Sequence, residues 1–411
     1  MFNFLFSSIY NILLKCISAL SVFRFIYPKK YKEWFLEQEK VFVRLKKNKQ
    51  PSIWIHCSSL GEYEYIKPII PHLKKLNTNI NITFFSISGY TNFKDFELVH
   101  QISCLPLDVK FNIQRFISII NPNMVLVSNN DIWPNMITHI NNNKIPLYLI
   151  GLKLNHQKIK NWWRREYYSQ YLSKFNFIFS QNRITSEFLN SRKITNTIIG
   201  DLRTKQVLID SELDFNDIKI QSFIGNNKVI IYGSVENNDY TIINETINTK
   251  NDIKHIIVPH KISSGIINKL KNQISSKTLI YSEIENIKTI YNHNILIVDV
   301  FGILKHLYRY SHIAYIGGGF NEGVHNTLEP AIHGNFMLFG PKHTHFEETL
   351  FFIKKQIAFM INNKVDFQNK INECLMNQIE KTTIRDKILS CFTTNSNNIK
   401  TILEHITKNN S

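Results

Sequence analysis

Cysteine is scarce in this sequence, and it has none of the spacings that hold a metal ion or form a redox pair. The five cysteines are scattered over 411 residues, their number is odd, and no two form a CxxC pair. This distribution predicts free, mostly buried thiols in a reducing compartment rather than a disulfide framework. It offers no zinc site, and we expect no bound metal.

Nucleic-acid-binding motifs are also missing, although the chain is strongly basic. Its formal net charge of +17 favours polyanionic partners: nucleic acid, anionic lipid headgroups, or acidic and phosphorylated substrates. No basic block with interleaved aromatic residues and no helix-turn-helix or zinc-finger spacing stands out. We therefore expect no nucleic acid among the partners, which leaves anionic lipids and phosphorylated substrates.

The sequence lacks an uninterrupted apolar run of the ~20 residues that a spanning helix needs. Residues 1–27 are strongly apolar, but Lys15 and Arg24 interrupt them, and Lys29, Lys30 and Lys32 follow. No basic residue precedes the run and no convincing cleavage site follows it, which argues against a cleaved signal peptide. We expect residues 1–30 to form a membrane-associating segment, either peripheral or a single anchor. An ordinary buried helix is the alternative.

From residue 52 onward, short apolar runs alternate with amphipathic stretches. This alternation predicts an α/β protein with two tandem Rossmann-like, doubly wound domains and a ligand in the cleft between them. We place the first domain at 31–209, a polar linker at 210–227, the second domain at 228–383 and terminal helices at 384–411. Glycosyltransferases of the two-Rossmann-domain (GT-B) type and some epimerases are built this way. The predicted strands are 53–57, 80–86, 102–107, 124–128, 147–150, 175–180 and 197–199, then 229–232, 255–258, 278–281, 295–298, 312–316 and 336–339.

The first motif with chemical content is residues 58–62 (SSLGE), which follow a predicted strand and open an amphipathic helix. Gly61 permits a tight turn. Glu62 falls in the first helical turn on the ligand side of the sheet, where a carboxylate can accept a proton from an attacking hydroxyl. Acidic residues at helix starts are common because they favour the helix dipole, so the local pattern leaves that alternative open.

The second domain carries a glycine-rich turn, residues 317–320 (GGGF), followed by residues 325–331 (HNTLEPA). Three glycines after a strand let backbone amides approach a phosphate. Asn326 can cap the following helix, and Glu329, one helical turn later, can bind a ribose diol. Residues 258–261 (VPHK) also follow a strand, and their basic groups could neutralise a phosphate or carboxylate of the ligand. Residues 301–303 (FGI) form a similar turn whose amides could meet a pyrimidine or a phosphate. Solvated loops are the alternative for both segments. His325, His333, His343 and His345 fit no familiar ligand spacing, so we expect none of them to bind metal.

Together these motifs make the chain resemble the bacterial 3-deoxy-D-manno-octulosonate (Kdo) transferases. Residues 56–62 (HCSSLGE) look like the first-domain motif of that family, and residues 308–320 (YRYSHIAYIGGGF) and 325–330 (HNTLEP) like its second-domain signature. Between them, residues 84–90, 105–108, 133–135 and 258–260 fall in the family's order. The resemblance runs from the apolar amino terminus to about residue 348.

The resemblance implies a membrane-associated, inverting glycosyltransferase on the cytoplasmic face of the inner membrane, acting in lipopolysaccharide core biosynthesis. The implied donor is CMP-Kdo, the implied acceptor is the lipid A precursor, and no other cofactor is implied. Anionic membrane lipids are expected partners, while the oligomeric state is not predicted. Glu62 matches the family's proton acceptor, and Asp131 and Arg203 complete the catalytic set. The implied CMP contacts are Pro259, His260, Phe301, Gly302, Ile303, Asn326, Thr327, Leu328 and Glu329.

Two positions depart from the family pattern. Many members carry Glu-x-Glu where this chain has Asn129-Asn130-Asp131, so only Asp131 keeps a carboxylate. The family's Gly-x-Leu-Lys appears as residues 200–203 (GDLR), in which Arg203 keeps the charge on a planar head. Two other readings remain open: a related glycosyltransferase that uses a UDP-sugar on another lipid acceptor, and a non-catalytic, basic membrane-surface protein.

Overall fold

The protein is described here as a computed structural model that covers residues 2–20, 28–76, 78–250, 252–274, 278–343, 347–377, 379–392 and 398–408. Two compact units divide the chain. The first contains residues 1–206 and 395–411, and the second contains residues 207–394.

Short buried strands and intervening helices build the first unit. The strands are rich in Ile, Val, Leu and Phe, as expected for parallel strands that are covered on both faces. The elements are α1 (Phe2–Leu20), α2 (Lys29–Arg44), β1 (Ser52–Cys57), α3 (Leu60–Ile66), α4 (Ile70–Lys74), β2 (Asn79–Phe84), α5 (Ile87–Thr91), β3 (Gln101–Cys104), α6 (Lys110–Ile120), β4 (Pro122–Ser128), α7 (Pro134–Asn142), β5 (Leu147–Leu152), α8 (Trp162–Leu172), β6 (Phe177–Ser180), α9 (Arg183–Ser191), β7 (Asn196–Ile198) and α10 (Arg203–Glu212), with 3₁₀ turns at Lys67–Ile69 and Phe96–Leu98.

The seven strands of this unit form one parallel sheet in the order β3-β2-β1-β4-β5-β6-β7. Alternate residues of β1 point to opposite faces: Trp54 joins one apolar cluster, and Ile53 and Ile55 join the other. The strand order reverses between β1 and β4, with β2 and β3 added on one side and β5 to β7 on the other, so the loops after these two parallel strands lie next to each other at the carboxyl edge.

Helix α1 packs on the first unit with one face and exposes an apolar face on the other. Leu14 is buried, and the Tyr10 hydroxyl donates to Asp108 Oδ2 at 2.8 Å. Ile9, Ile12, Leu13 and Ile17 are between 37% and 60% exposed. No helix within the described ranges is both long enough and apolar enough to cross a membrane. Residues 21–27 of the predicted membrane-associating segment lie outside the described residues.

The second unit repeats the architecture. Its elements, after the end of α10, are α11 (Ile218–Ile224), β8 (Val229–Val235), α12 (Asn237–Thr249), β9 (Lys254–Pro259), α13 (Ser264–Gln273), β10 (Thr278–Ile280), β11 (Ile295–Ile297), α14 (Leu304–Leu307), β12 (Ile313–Ile316), α15 (Leu328–Ile332), β13 (Phe336–Phe339), α16 (Glu347–Lys354), β14 (Ala358–Met360), α17 (Lys364–Met376) and α18 (Lys381–Phe392), with 3₁₀ turns at Tyr281–Glu283, Ile287–Asn292 and Tyr308–Tyr310. The parallel sheet has the order β10-β11-β9-β8-β12-β13-β14.

The prediction of two α/β domains with parallel sheets is confirmed, and the structure adds detail at the domain bounds. Residues 210–227, interpreted as a linker, contain α11, which buries Ile220 and Phe223 in the second unit's core. The two terminal helices go to different units. Helix α18 packs in the second unit, and α19 (Asn398–Lys408) returns to the first, where Ile402 and Ile406 are buried.

The cysteines whose side chains are described are free thiols. Cys57, Cys104 and Cys374 are buried, and Cys16 on α1 is exposed. Burial raises the pKa of all three buried thiols, that of Cys104 and Cys374 to about 12. A thiol held neutral in this way is a poor nucleophile and a poor metal ligand.

Candidate functional site

The strands β1 and β4 are neighbours in the first sheet, and the loops that follow them carry the candidate catalytic groups. β1 ends at Cys57 and leads through Ser58 and Ser59 into α3, whose first turn contains Glu62. β4 ends at Ser128, and Asp131 lies in the next loop. Since β1 and β4 run parallel and pair, their carboxyl ends bring Glu62 and Asp131 to the same edge.

A buried network surrounds Asp131. His56 Nε2 lies 2.6 Å from Asp131 Oδ2, and the Ser58 hydroxyl donates to the same oxygen. Trp133 Nε1 lies 3.0 Å from His56 Nε2, and the indole N–H also hydrogen-bonds the carboxylate of Asp131. His56 Nδ1 is 2.8 Å from the Thr83 hydroxyl. Although burial alone would raise the pKa of Asp131, His56 and these hydrogen bonds lower it, so Asp131 is ionised.

The environment of Glu62 acts in the opposite direction. Burial, and then the charge of Asp131, raise the pKa of Glu62 from 4.5 to about 7, while His56 and the backbone N–H groups of Ser58 and Ser59 oppose the rise. The Ser59 N–H donates to Glu62 Oε2 at 3.0 Å, a capping bond at the helix start, where the sequence analysis had left an interaction with the helix dipole as the alternative. The carboxyl therefore contributes to capping the helix and also titrates near neutral pH, as a general base must.

The glycine before Glu62 is not required by the backbone. Gly61 lies inside α3, and a Cβ there would meet only the Ser59 hydroxyl oxygen, at 3.8 Å. The sequence interpretation of a tight turn at Gly61 was therefore wrong, because the turn is made by Ser58 and Ser59 before the helix begins.

Arg203, the third predicted catalytic residue, pairs with a carboxylate of its own loop. Its guanidinium chelates the carboxylate of Asp201, with Nε and Nη2 2.5–3.1 Å from the two oxygens. Asn129 has a φ of 60°, a left-handed conformation that asparagine tolerates well, and its Oδ1 accepts from Gln181 at 3.2 Å. In the first unit, Glu62 and Asp131 therefore lie together, whereas the guanidinium of Arg203 pairs with Asp201.

In the second unit, three glycines follow β12 because neighbouring backbone leaves no room for side chains. A Cβ on Gly317 would lie 2.3 Å from Ser234 O, and one on Gly319 would lie 2.6 Å from Gly340 N. Gly318 has a φ of 86°. Its N–H donates to Asp239 Oδ2 at 3.0 Å, and Tyr315 donates to the other oxygen at 2.7 Å, so Asp239 anchors the loop.

A cavity of about 640 Å³ opens beside this loop at the carboxyl edge of the second sheet. Among its lining residues are Glu236, His260, Lys261, Asn321 and Lys342. The two cationic side chains and the neighbouring amide groups suit a ligand that carries a phosphate or a carboxylate.

Three of the side chains near this cavity form what we call the His260 cluster: Glu236, His260 and His325. The imidazole rings stack at 4.2 Å, and His325 Nε2 lies 3.0 Å from Glu236 Oε1. Burial, and then the neighbouring His325, lower the pKa of His260. One ligand atom from each residue lies within 4.8 Å of the others, so the cluster has the donors to hold a cation. The expectation that the chain binds no metal therefore stays a prediction. His345 lies outside the described residues.

The remaining predicted contacts lie in three separate segments of the second unit. Pro259 ends β9 next to His260. Phe301 is 67% exposed, and Gly302, with a φ of 93°, makes the turn that leads to Ile303 and α14. Asn326 Oδ1 accepts from Leu328 N at 3.0 Å, and its Nδ2 donates to Glu329 Oε1 at 2.9 Å. Thr327 and Leu328 are buried, so their contribution to a ligand is limited to backbone groups.

The sequence analysis missed Glu236, Asp239 and Asn321. Asn321 Nδ2 donates to Glu236 Oε2 at 2.5 Å, so the glutamate connects the glycine-rich loop to the start of α12. The available signal was local: Glu236 and Asp239 are spaced as a capping pair directly after a predicted strand. Their partners lie about 80 positions away in the sequence, so only the folded chain brings them into contact.

Comparison with known proteins gives a consistent result. Residues 32–206 match the family model for 3-deoxy-D-manno-octulosonic-acid transferase (kdotransferase). A 3-deoxy-D-manno-octulosonic acid transferase of Aquifex aeolicus is 28% identical over 80% of this chain and 87% of its own length. A Rickettsia prowazekii protein of the same description is 26% identical over 86% of this chain and 78% of its own length.

A bifunctional glycosyltransferase/methyltransferase of Fusobacterium nucleatum is 26% identical over 83% of this chain. This chain spans 56% of that relative's length. Among solved structures, UDP-GlcNAc 2-epimerase from Neisseria meningitidis has a TM-score of 0.57 at 15% identity, covering 87% of this chain and all of that one. A glycosyltransferase from Rickettsia africae has a TM-score of 0.55 at 14% identity, covering 88% and 99%. At these identities the two structures show the fold alone.

Proposed function

We propose that this chain moves Kdo from CMP-Kdo to the lipid A precursor with inversion. The premise is that the chain belongs to the Kdo transferases and is a glycosyltransferase. The observation that carries the proposal is Glu62: a half-buried carboxylate at the carboxyl edge of the first sheet with a pKa of about 7. The acceptor, the stereochemistry and the residue roles below belong to the proposal.

In the proposed step a primary hydroxyl of the acceptor attacks the anomeric carbon of Kdo. The new carbon–oxygen bond forms as the bond to the CMP phosphate oxygen breaks, and CMP leaves with that electron pair. Glu62 accepts the hydroxyl proton and later returns it to solvent. Asp131 stays ionised and raises the basicity of Glu62 by its charge, while His56 keeps Asp131 in place.

We assign donor binding to the second unit. His260, Lys261 and Lys342 supply positive charge or hydrogen bonds for the CMP phosphate and the Kdo carboxylate. Pro259 and the exposed turn of Phe301, Gly302 and Ile303 flank the base. Asn326, Thr327, Leu328 and Glu329 meet the ribose and the phosphate. The departing CMP needs no metal in this scheme.

We also propose that α1 holds the enzyme on the cytoplasmic face of the inner membrane. Its exposed Ile9, Ile12, Leu13 and Ile17 form an apolar stripe on the side away from the protein. Phe6 of α1 contacts Tyr167 of α8 at 5.0 Å, and that helix begins with Trp162 and Trp163, 66% and 43% exposed. Apolar residues beside tryptophans are typical of a surface that inserts into the headgroup region.

The test is a transfer assay with the purified full chain. Freshly generated CMP-Kdo and the tetraacyl disaccharide bisphosphate are incubated with the enzyme, and the lipid products are identified by mass spectrometry. We expect a mass increase of one or more Kdo units. Intact donor without product, while a known transferase is active in parallel, would contradict the proposed donor and acceptor.

The role of Glu62 is tested separately with Glu62→Gln, which is nearly isosteric. We expect transfer to fall about 10²-fold or more, while calorimetry shows CMP binding retained. Exposed Glu97 of the same unit gives the matched control Glu97→Gln, which should transfer at the wild-type rate. Equal rates for wild type and Glu62→Gln would refute the base assignment, and tighter binding of UDP than of CMP would favour a UDP-sugar donor.

A further inference from the structure

A second cavity, of about 350 Å³, lies in the second unit and is lined mainly by basic side chains. Among the described residues that line it, four are basic, none is acidic, and two carry hydroxyl groups. The lining residues are Ser211, Arg309, His333, Lys381, Thr382 and Arg385. We refer to this cavity as the basic pocket.

The basic pocket lies at the amino edge of the second sheet, opposite the edge that carries the candidate donor cavity. Arg309 precedes β12, whereas the glycine-rich loop follows it, and all strands of this sheet run parallel. His333 stands at the end of α15, just before β13 begins. Lys381 Nζ donates to Arg309 O at 2.9 Å, which brings the start of α18 to the same edge. The pocket is therefore separate from the proposed CMP-Kdo site.

Burial and neighbouring positive charges lower the pKa of two basic groups in the pocket. Burial lowers the pKa of Lys381 to about 8. Burial, and then the charges of Lys381, Arg309 and Arg385, lower the pKa of His333 to about 4. Like charges held this close destabilise one another unless an anion lies among them.

Two of these groups also have donors that nothing in the described chain satisfies. The Nε atoms of Arg309 and Arg385 are buried, and neither has a hydrogen-bond partner among the described residues. Such orphaned charged donors are rare, because an unpaired buried donor loses its hydration without compensation.

Two carboxylates close to the pocket in sequence already have partners. Asp210 pairs with Lys305 at 2.8 Å, and Glu380 accepts from the Thr382 hydroxyl at 3.2 Å. Asp386 follows Arg385 on α18 but is exposed. One guanidinium nitrogen of Arg309 is fixed by the carbonyl of Leu213 at 2.8 Å, which holds the group in place for a ligand.

We propose that the basic pocket binds a phosphate group, either as free phosphate or as the monoester of a larger molecule. Guanidinium groups are suited to phosphate because their N–H groups match its oxygens, and the ammonium of Lys381 adds a point charge. A water molecule takes up ~30 Å³ of liquid, so the cavity has room for a phosphate together with part of the group that carries it. This inference does not depend on the transfer reaction or on the donor cavity.

Phosphate binding is measured on the full chain by calorimetry with inorganic phosphate, at constant ionic strength against chloride. Saturable binding with a raised thermal midpoint of unfolding is expected. Arg385→Gln and Lys381→Met should each weaken it about tenfold or more, the loss expected for one charge-assisted bond. Exposed Lys355 of the same unit gives the matched control Lys355→Gln, which should bind as wild type does.

Lys381→Met also addresses folding. Removing a buried charge should leave the phosphate-free protein at least as stable as wild type, so weaker binding cannot be attributed to unfolding. Absence of saturable binding would overturn the proposal. So would binding that survives Arg385→Gln and Lys381→Met but is lost in Lys342→Gln, because the phosphate would then occupy the donor cavity.

The source of the phosphate is distinguished by vesicles that contain phosphatidic acid in phosphatidylcholine. Vesicle binding that inorganic phosphate displaces, and that Arg385→Gln weakens, identifies a lipid headgroup. Binding of inorganic phosphate with no Arg385-dependent vesicle binding identifies a soluble phosphate compound. Either result supports the site.

Discussion

Replacing Glu62 by glutamine is expected to stabilise the first unit at and above neutral pH, while transfer falls about 10²-fold or more. The ionised carboxylate is costly to the folded protein because burial and the charge of Asp131 both disfavour it. Glutamine keeps the size of the side chain and the hydrogen-bonding oxygen but never ionises.

The size of this effect on the free energy of unfolding follows from the pKa of Glu62, which is about 7 in the folded chain against the ordinary 4.5. The folded state holds the proton more tightly than the unfolded state does. The wild-type protein is therefore most stable, with respect to this group, below the unfolded pKa, and it loses stability as pH rises towards 7. At ~1.4 kcal/mol per pKa unit the full penalty is about 3 kcal/mol.

The stability advantage of Glu62→Gln should accordingly grow by about 2 kcal/mol between about pH 5.5 and about pH 8. Urea unfolding followed by tryptophan fluorescence measures it, because all five tryptophans (Trp34, Trp54, Trp133, Trp162 and Trp163) belong to the first unit. Comparing the variant with wild type at each pH cancels other titrating groups, such as Asp108, whose pKa burial raises to about 7.

Glu97→Gln is the control, since its stability should follow the wild-type curve at both pH values. Parallel pH dependence of wild type and Glu62→Gln would refute the reasoning. It would mean that Glu62 is ionised as easily in the folded protein as in the unfolded one, and its suitability as a base near neutral pH would be lost with it.

Further predictions concern the reaction, the metal, the glycine-rich loop and the membrane. The value of kcat/KM should fall as pH drops below about 7, since Glu62 has a pKa of about 7 and must be ionised to accept a proton; a profile that is flat down to about pH 5.5 would contradict this. Transfer should survive exhaustive chelation, whereas a metal retained by the His260 cluster and required for turnover would show in elemental analysis and lost activity. Gly319→Ala should destabilise the second unit by about 1–3 kcal/mol in calorimetric unfolding, because its Cβ would meet Gly340 N at 2.6 Å, while Gly265→Ala, with nothing within 4 Å, should not destabilise it. Ile12→Ser combined with Leu13→Ser should reduce sedimentation with anionic vesicles and leave the unfolding midpoint unchanged, because both side chains are exposed; undiminished sedimentation would show that α1 is not the main anchor.

The sheet could be predicted closely because parallel strands covered on both faces must be apolar along their length. The predicted strand at 147–150 and the observed β5 (Leu147–Leu152) differ only at one end. β14 (Ala358–Met360), a three-residue strand at a sheet edge, was missed. The interpretation of 210–227 as a linker overlooked α11, whose seven residues bury their apolar side in a mainly polar stretch.

The candidate site could be predicted only where its signal is local. Glu62 was found because a strand, a short loop and a helix start are adjacent in sequence. Its pKa could not be predicted, because that depends on burial and on Asp131, 69 positions away. The basic pocket had no sequence signal at all, since Ser211, Arg309, His333 and Arg385 come from four separate segments.

The sequence by itself determined the order of most strands and helices, the glycine-rich loop and the position of the candidate proton acceptor. These follow from periodicity and from residue types that act over a few neighbouring positions. The tertiary structure alone decided which charges face one another. It placed His56 and Asp131 beside Glu62, brought the three residues of the His260 cluster into contact and assembled the lining of the basic pocket. Charge interactions and burial depend on distance in space, and the fold sets that distance between residues far apart in the chain.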